Sequence, residues 1–270
     1  MNFTRIHCIR FTMKNRTKLP NIYLTILLIV MYLPIIIVII YSFNNSEQST
    51  IWGGYTLEWY HKLLDDWTLM EALKNSLVLG ILSSLAAGII GTIGAVGMTK
   101  VHLRSKGIME YISTLPIMIP EIILGMVFMV FFSLLGLPFG MVTLVIAHTS
   151  FCIPYVYMMV KSRLVGMEQS YVEAARDLGA SEVRAFIDIT IPLILPAIIS
   201  GMLLSFAMSL DDVVISIFVT GATTNTLPIK IYTQLKTGIT PEINALSTLM
   251  LIVTFLIVFI SNRIRKRKRY

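Results

Sequence analysis

Six apolar runs, each close to the roughly 20 residues that cross a bilayer core, leave this chain few ways to fold. They run approximately Ile22–Tyr41, Ser76–Met98, Tyr111–Leu135, Met141–Val160, Pro192–Thr220 and Ile243–Ser261. Each is read as a membrane-spanning helix. Composition agrees: 56% of the 270 residues are hydrophobic and only 14% are charged, too little polar surface to cover a soluble globule. The first run is too long for a cleaved signal peptide and lacks a small-residue cleavage site, so it is kept as a mature span. Cys8 and Cys152 imply no disulfide framework.

The net charge of +7 is placed for a membrane and not for nucleic acid. Arg5, Arg10, Lys14, Arg16 and Lys18 precede the first run, and Arg263, Arg265, Lys266, Arg267, Lys268 and Arg269 follow the last. Basic flanks of apolar spans anchor at the anionic cytoplasmic leaflet. An even number of spans puts both termini on that side. The loops agree, with Lys100, Arg104 and Lys106 between runs two and three, and Lys161, Arg163, Arg176 and Arg184 between four and five. The expected plan is a cytoplasmic basic tail over 1–21, a transmembrane domain over 22–262 and a second cytoplasmic basic tail over 263–270. The outer segment Phe43–Ala72 carries Trp52, Tyr55, Trp59, Tyr60 and Trp67. It reads either as an interfacial aromatic belt or as a surface helix, "TLEWYHKLLDD", that also meets an external partner.

One stretch stands apart from the apolar pattern: "SYVEAARDLGASEVRAFIDITIP", between runs four and five on the inner side. Ser170 and Glu173 have capping-box spacing, Gly179 supplies a residue able to take positive φ, and Ser181 is placed to cap a second helix. That second helix is predicted to stop near Pro192. A folded inner loop suits either contact with a partner or rest on the membrane surface.

Glu173-Ala174-Ala175, three residues, Gly179, nine residues, Ile189, one residue, then Ile191-Pro192 resembles the EAA loop of binding-protein-dependent ABC importer permeases. Ile191 stands where that family usually has Leu, a mild apolar exchange. The resemblance implies an all-α integral membrane protein of six transmembrane helices with the MetI-like permease fold and a cytoplasmic coupling-helix loop at about 170–192. It also implies that Glu173, Ala174, Ala175 and Gly179 contact an ATPase subunit. The chain has no phosphate-binding loop of its own. ATP and Mg would be used by the partner, no cofactor is bound here, and the chain is a transport subunit and not an enzyme.

Intramembrane acids cost roughly 2.5–3.5 kcal/mol each at a helix centre, so Asp211 and Asp212 in "SLDDVVIS" need a reason. Neighbours on a helix point about 100° apart, so at most one of the two faces an aqueous path. The other reading is that both are structural, capping a broken helix or pairing with a neighbour. Glu121 follows Pro116 and Pro120, where a kink is expected. Asp211, Asp212, Glu121 and Tyr155 are the candidates for the substrate pathway. His148 is read as a packing residue, and Gly88, Gly91, Gly94 and Gly97 as close helix contacts.

The stretches "YLPIIIVIIYSFNNS", "HTSFCIPYVYMMVKSRL", "SLDDVVISIFVTG" and "LPIKIYTQLKTGITPEINALST" further resemble the spermidine/putrescine branch of these permeases. That likeness implies a heterodimer with a second homologous permease, two copies of a cytoplasmic ATPase and an extracytoplasmic polyamine-binding protein, in a bacterial cell membrane. A permease for iron, thiosulfate or an amino acid is the neighbouring alternative. An ion-coupled secondary transporter is the alternative from another class, and it leaves the inner helix pair without a role.

Overall fold

The computed structural model describes residues 18–46, 51–100, 106–167, 170–237, 241–252 and 255. The basic tails lie outside these residues apart from 18–21, as does the end of the sixth apolar run. The described chain is helical, with one isolated β-bridge between Asn44 and Tyr55. In order, the helices are α1 (Lys18–Tyr41), α2 (Glu58–Asp65), α3 (Trp67–Lys100), α4 (Lys106–Met118), α5 (Glu121–Leu134), α6 (Met141–Val165), α7 (Ser170–Asp177) and α8 (Glu182–Ala185). A five-residue π turn (Phe186–Thr190) leads into α9 (Ile191–Asp211), then α10 (Val214–Val219), α11 (Leu227–Thr237) and α12 at residues 241–252.

Two compact units divide these helices, one drawn from Met1–Leu63 and Ile239–Tyr270, the other from Leu64–Gly238. In the first, the apolar window of α1 is wholly unburied, as a helix facing lipid or another membrane helix must be. The outer aromatic segment is a folded cap built on Asn44. Its side-chain Nδ2 donates to the Ile51 carbonyl at 2.7 Å, and its Oδ1 accepts from the Gly53 amide at 2.7 Å. Trp59 Nε1 donates to the Asn44 carbonyl at 2.6 Å. Trp59 is thereby buried while Trp52 and Tyr55 stay exposed. The surface helix expected over this segment is α2.

The second unit is organised by α3, α6 and α9, which pack against one another, with α5 lying against α10. Small residues set the closest approaches. A Cβ on Gly91 of α3 would lie 3.1 Å from the Ile153 carbonyl, and one on Gly201 of α9 would lie 3.0 Å from Val156 Cα. Both glycines therefore close on α6 around Val156, which is fully buried. The three-residue glycine ladder does not all serve packing, because a step of three drifts about 60° around a helix. Gly88 meets Met202, Gly94 is in ordinary contact with Tyr157, and Gly97 faces open space.

Spans one, two and four are continuous helices, and α3 starts nine residues before the expected Ser76, at Trp67. The reason is a cap: Asp66 Oδ1 accepts from the Thr68 amide at 2.9 Å and the Leu69 amide at 3.2 Å, opening the helix ahead of its apolar part. The third run is not one straight helix. It breaks between Met118 and Glu121 into α4 and α5, bent by 105°, at the position Pro120 marks. The fifth run departs from expectation twice. No helix end occurs at Pro192, because the Ile191 amide bonds to the Phe186 carbonyl five residues back, and this widened π turn carries the helix past the proline. Glu182–Asp211 is thus one apolar span of 30 residues. At its far end the chain breaks at Asp212 rather than running on to Thr220.

Candidate functional site

Two polar places in the second unit lie at opposite ends of the Glu182–Asp211 span and therefore roughly 40 Å apart at 1.5 Å per residue.

At one end, α7 and α8 form an elbow. Gly179 takes φ +87°, its amide bonds to the Arg176 carbonyl at 2.9 Å, and the Ala180 amide bonds to the Ala175 carbonyl at 3.0 Å. This pair of bonds is a Schellman ending, which requires the left-handed residue that glycine supplies most cheaply. Ser181 then caps α8, its Oγ accepting from the Arg184 amide at 3.3 Å. The α6 end is tied to α9 by Arg163 Nε, which donates to the Leu193 carbonyl at 3.1 Å. Ser170 is already inside α7, and the residues just before it lie outside the described set.

The four residues singled out in the elbow do not share one face. Ala174 and Gly179 are exposed and Ala175 is half-buried. Glu173 is exposed but lines a recess of about 400 Å³ with Arg176, Glu182 and the ends of α3 and α6. Adjacent alanines point about 100° apart, so a single docking face cannot use both equally. Sequence reasoning missed the residue most available to a partner, Leu178, which is 90% exposed. Tyr171 and Val183 are also exposed apolar side chains on the elbow. The signal was the i, i+3, i+7 spacing of Tyr171, Ala174 and Leu178, one stripe of a helix.

At the other end is the acidic break. Asp211 closes α9 and is exposed. Asp212 is 8% exposed and caps α10, accepting from the Ile215 amide at 3.2 Å and, through Oδ2, from the Ser216 amide at 2.8 Å and the Ser216 hydroxyl at 2.9 Å. Buried His148 of α6 adds Nε2 at 3.0 Å from Ser216 Oγ and 3.3 Å from Asp212 Oδ2, with Nδ1 2.8 Å from Ser209 Oγ. Ser83 of α3 reaches Ser209 Oγ at 3.2 Å. The Ser216 hydroxyl donates to Asp212, and Nε2 lies within reach of both Ser216 Oγ and Asp212 Oδ2. This network rivets α3, α6, α9 and α10 together where the span breaks. Asp212 therefore sits inside the protein as a cap, and His148 is its partner.

Glu121 occupies the exposed first turn of α5, just after the 105° bend. Tyr155 of α6 is half-buried and meets Phe151 edge-on at 6.1 Å, which in turn meets His148 at 6.0 Å. A line of aromatic groups thus runs along α6 from Tyr155 to His148 at the acidic break. Among the described residues, no group of three or more His, Cys, Asp or Glu side chains could hold a metal ion.

The family model described as binding-protein-dependent transport system inner membrane component matches residues 87–268. The chain belongs to this family. The matched region contains the elbow, the bend at Glu121 and the break at Asp211–Asp212, so both polar ends of the span lie inside the family's own domain. The chain is 39% identical over 246 residues to the spermidine/putrescine transport system permease protein PotC of Escherichia coli K12, covering 91% of this chain and 93% of the relative. It is 36% identical to the Haemophilus influenzae protein of the same name, over 95% of this chain and 100% of the relative. The putrescine transport system permease protein PotI of E. coli K12 is 40% identical, over 88% and 89%. Among solved structures, a chain of a bacterial ABC transporter involved in the import of the acidic polysaccharide alginate superposes with a TM-score of 0.70 at 16% identity, over 92% of this chain and 94% of that one. The MetNI methionine transporter gives 0.61 at 20% identity, over 73% and 94%. The fold is the MetI-like permease fold, and the chain is a multi-pass membrane protein.

Proposed function

We propose that this chain is a permease subunit of an ATP-driven, binding-protein-dependent importer of polyamines, working by alternating access with both termini in the cytoplasm. The observation that carries the coupling half is the elbow: an exposed apolar stripe on α7, which ends at Gly179, followed by the Ser181-capped α8, which opens into a 30-residue span. Apolar surface of that kind outside the bilayer is a docking surface, and the continuous helix beyond it transmits displacement as a rigid rod. Its partner is a cytoplasmic ATPase, two copies of which serve this chain and a second, homologous permease. The substrate half rests on the likeness to spermidine/putrescine permeases and on where the acids lie. Asp211, Glu121 and Tyr155 offer carboxylate and aromatic surface to an oligoamine handed over by an external binding protein, and Coulomb attraction strengthens as the dielectric falls. Asp212 holds the break in shape and leaves Asp211 free to face the path.

The test is ATP-dependent uptake of radiolabelled spermidine and putrescine by the full assembly in proteoliposomes. Glu173→Ala and Gly179→Pro should abolish uptake while the permease stays in the membrane. Normal uptake by both variants would overturn the coupling role, and uptake of iron, thiosulfate or an amino acid in place of polyamine would overturn the substrate.

A further inference from the structure

We infer that the ends of α4 and α6 nearest the elbow form a site for a primary ammonium group, filled in this structure by the chain's own Lys161. The inference rests on the polyamine reading above. A cavity of about 680 Å³ opens between the two helices, lined by Glu110, Tyr111 and Thr114 of α4 and by Tyr157, Met158 and Lys161 of α6. Lys161 Nζ lies 2.8 Å from Glu110 Oε1 and 5.7 Å from the centre of the Tyr157 ring. Both charged side chains are 29% exposed, so water and solutes reach them. Tyr157 is 3% exposed, so its ring forms a fixed wall of the site.

A carboxylate and an aromatic face are groups that receive an –NH3⁺. The lysine side chain is itself an aminobutyl group, a four-carbon stem ending in ammonium, the same fragment that putrescine and spermidine carry at an end. The cavity beside it lies within the range of small-ligand pockets and leaves room for a second such chain. Lys161 is nine residues before the elbow at Ser170, so the site lies at the inner mouth of the permease. Lys161 is a tethered competitor. A departing polyamine exchanges with it on Glu110, and polyamine accumulated inside refills the same place and slows import.

The test uses the full assembly in proteoliposomes preloaded with unlabelled spermidine, reading initial uptake of labelled spermidine against luminal concentration. Lys161→Met removes the competitor and should lower the luminal concentration for half-inhibition on the order of tenfold, the factor for one competing charge-assisted hydrogen bond at a partly exposed site. Glu110→Gln should raise it on the order of tenfold by the same reasoning. Lys161→Arg should stay near the parent. An ion pair that merely ties α4 to α6 moves both variants the same way or neither, and either result overturns the inference. If the parent assembly imports no polyamine at all, the functional reading fails and the site fails with it; polyamine uptake with an unmoved half-inhibition removes the site alone.

Discussion

Replacing Asp212 with Ala separates the two acids of the break by their energetics. Asp212 accepts from two backbone amides of α10, and losing such a cap costs about 1 kcal/mol. The Ser216 hydroxyl also loses its acceptor inside the protein, and a buried unsatisfied group costs about 1–3 kcal/mol. Together these place Asp212→Ala at about 3 kcal/mol, or a fall in melting midpoint of roughly 6–12 °C for a domain of this size. Asp212→Asn keeps one acceptor oxygen for the cap but turns an amide donor toward Ser216 or His148, and should fall between. Asp211→Ala removes an exposed side chain and should stay within about 0.5 kcal/mol of the parent while reducing polyamine uptake. The assay is fluorescence-detected size exclusion after heating in detergent, paired with uptake on the same preparations. Equal midpoints for the two alanine variants would refute the assignment of Asp212 as the cap and Asp211 as the path residue.

Helix packing gives a second contrast: Gly201→Ala should cost about 1–3 kcal/mol because its Cβ lands 3.0 Å from Val156 Cα, whereas Gly97→Ala, facing open space, should be neutral or stabilise by up to about 1 kcal/mol. Melting midpoints check both. Leu178→Ser should leave the midpoint unchanged, since the side chain is 90% exposed, yet weaken co-purification of the ATPase. Asp66 gives the pH dependence. Burial opposes ionisation of its carboxyl, but hydrogen bonds from Thr68 and Leu69 and the charge of Lys230 win and hold it below the usual 3.8. A folded-state value below the unfolded one means its stabilisation is present above that ordinary value and is lost as pH falls through the lower one. Asp66→Asn should therefore flatten the melting-midpoint profile below about pH 4 and leave its shape near neutrality unchanged.

Long uninterrupted apolar runs were legible as helices because length and hydropathy alone specify them, as in α1, α3 and α6. The bend at Glu121 was legible too, since Pro116 and Pro120 stand before it. The break at Asp211–Asp212 was legible only as an alternative, both acids structural at a broken helix, while the span itself was carried on to Thr220. "SLDDVVIS" contains neither proline nor glycine, and the chain opens at Asp212 because His148, distant in sequence, and Ser216 complete its hydrogen bonds. At Pro192 the error ran the other way, a proline taken as a stop where a π turn lets the helix continue. The elbow's ending at Gly179 followed from local chemistry, while the exposure of Leu178 depends on how the Schellman turn presents the last apolar residue. Helix α11 went unread because its N-terminus is fixed by α3, with Ser76 Oγ accepting from the Leu227 amide at 2.8 Å.

A photo-reactive residue placed at Ala174 or Leu178 and irradiated in native membranes asks most directly whether the elbow receives work from outside the bilayer. The adduct should be a nucleotide-binding polypeptide, formed in the full assembly and lost when Gly179 is changed to Pro. Adducts with lipid alone, in membranes that import polyamine normally, would contradict the account.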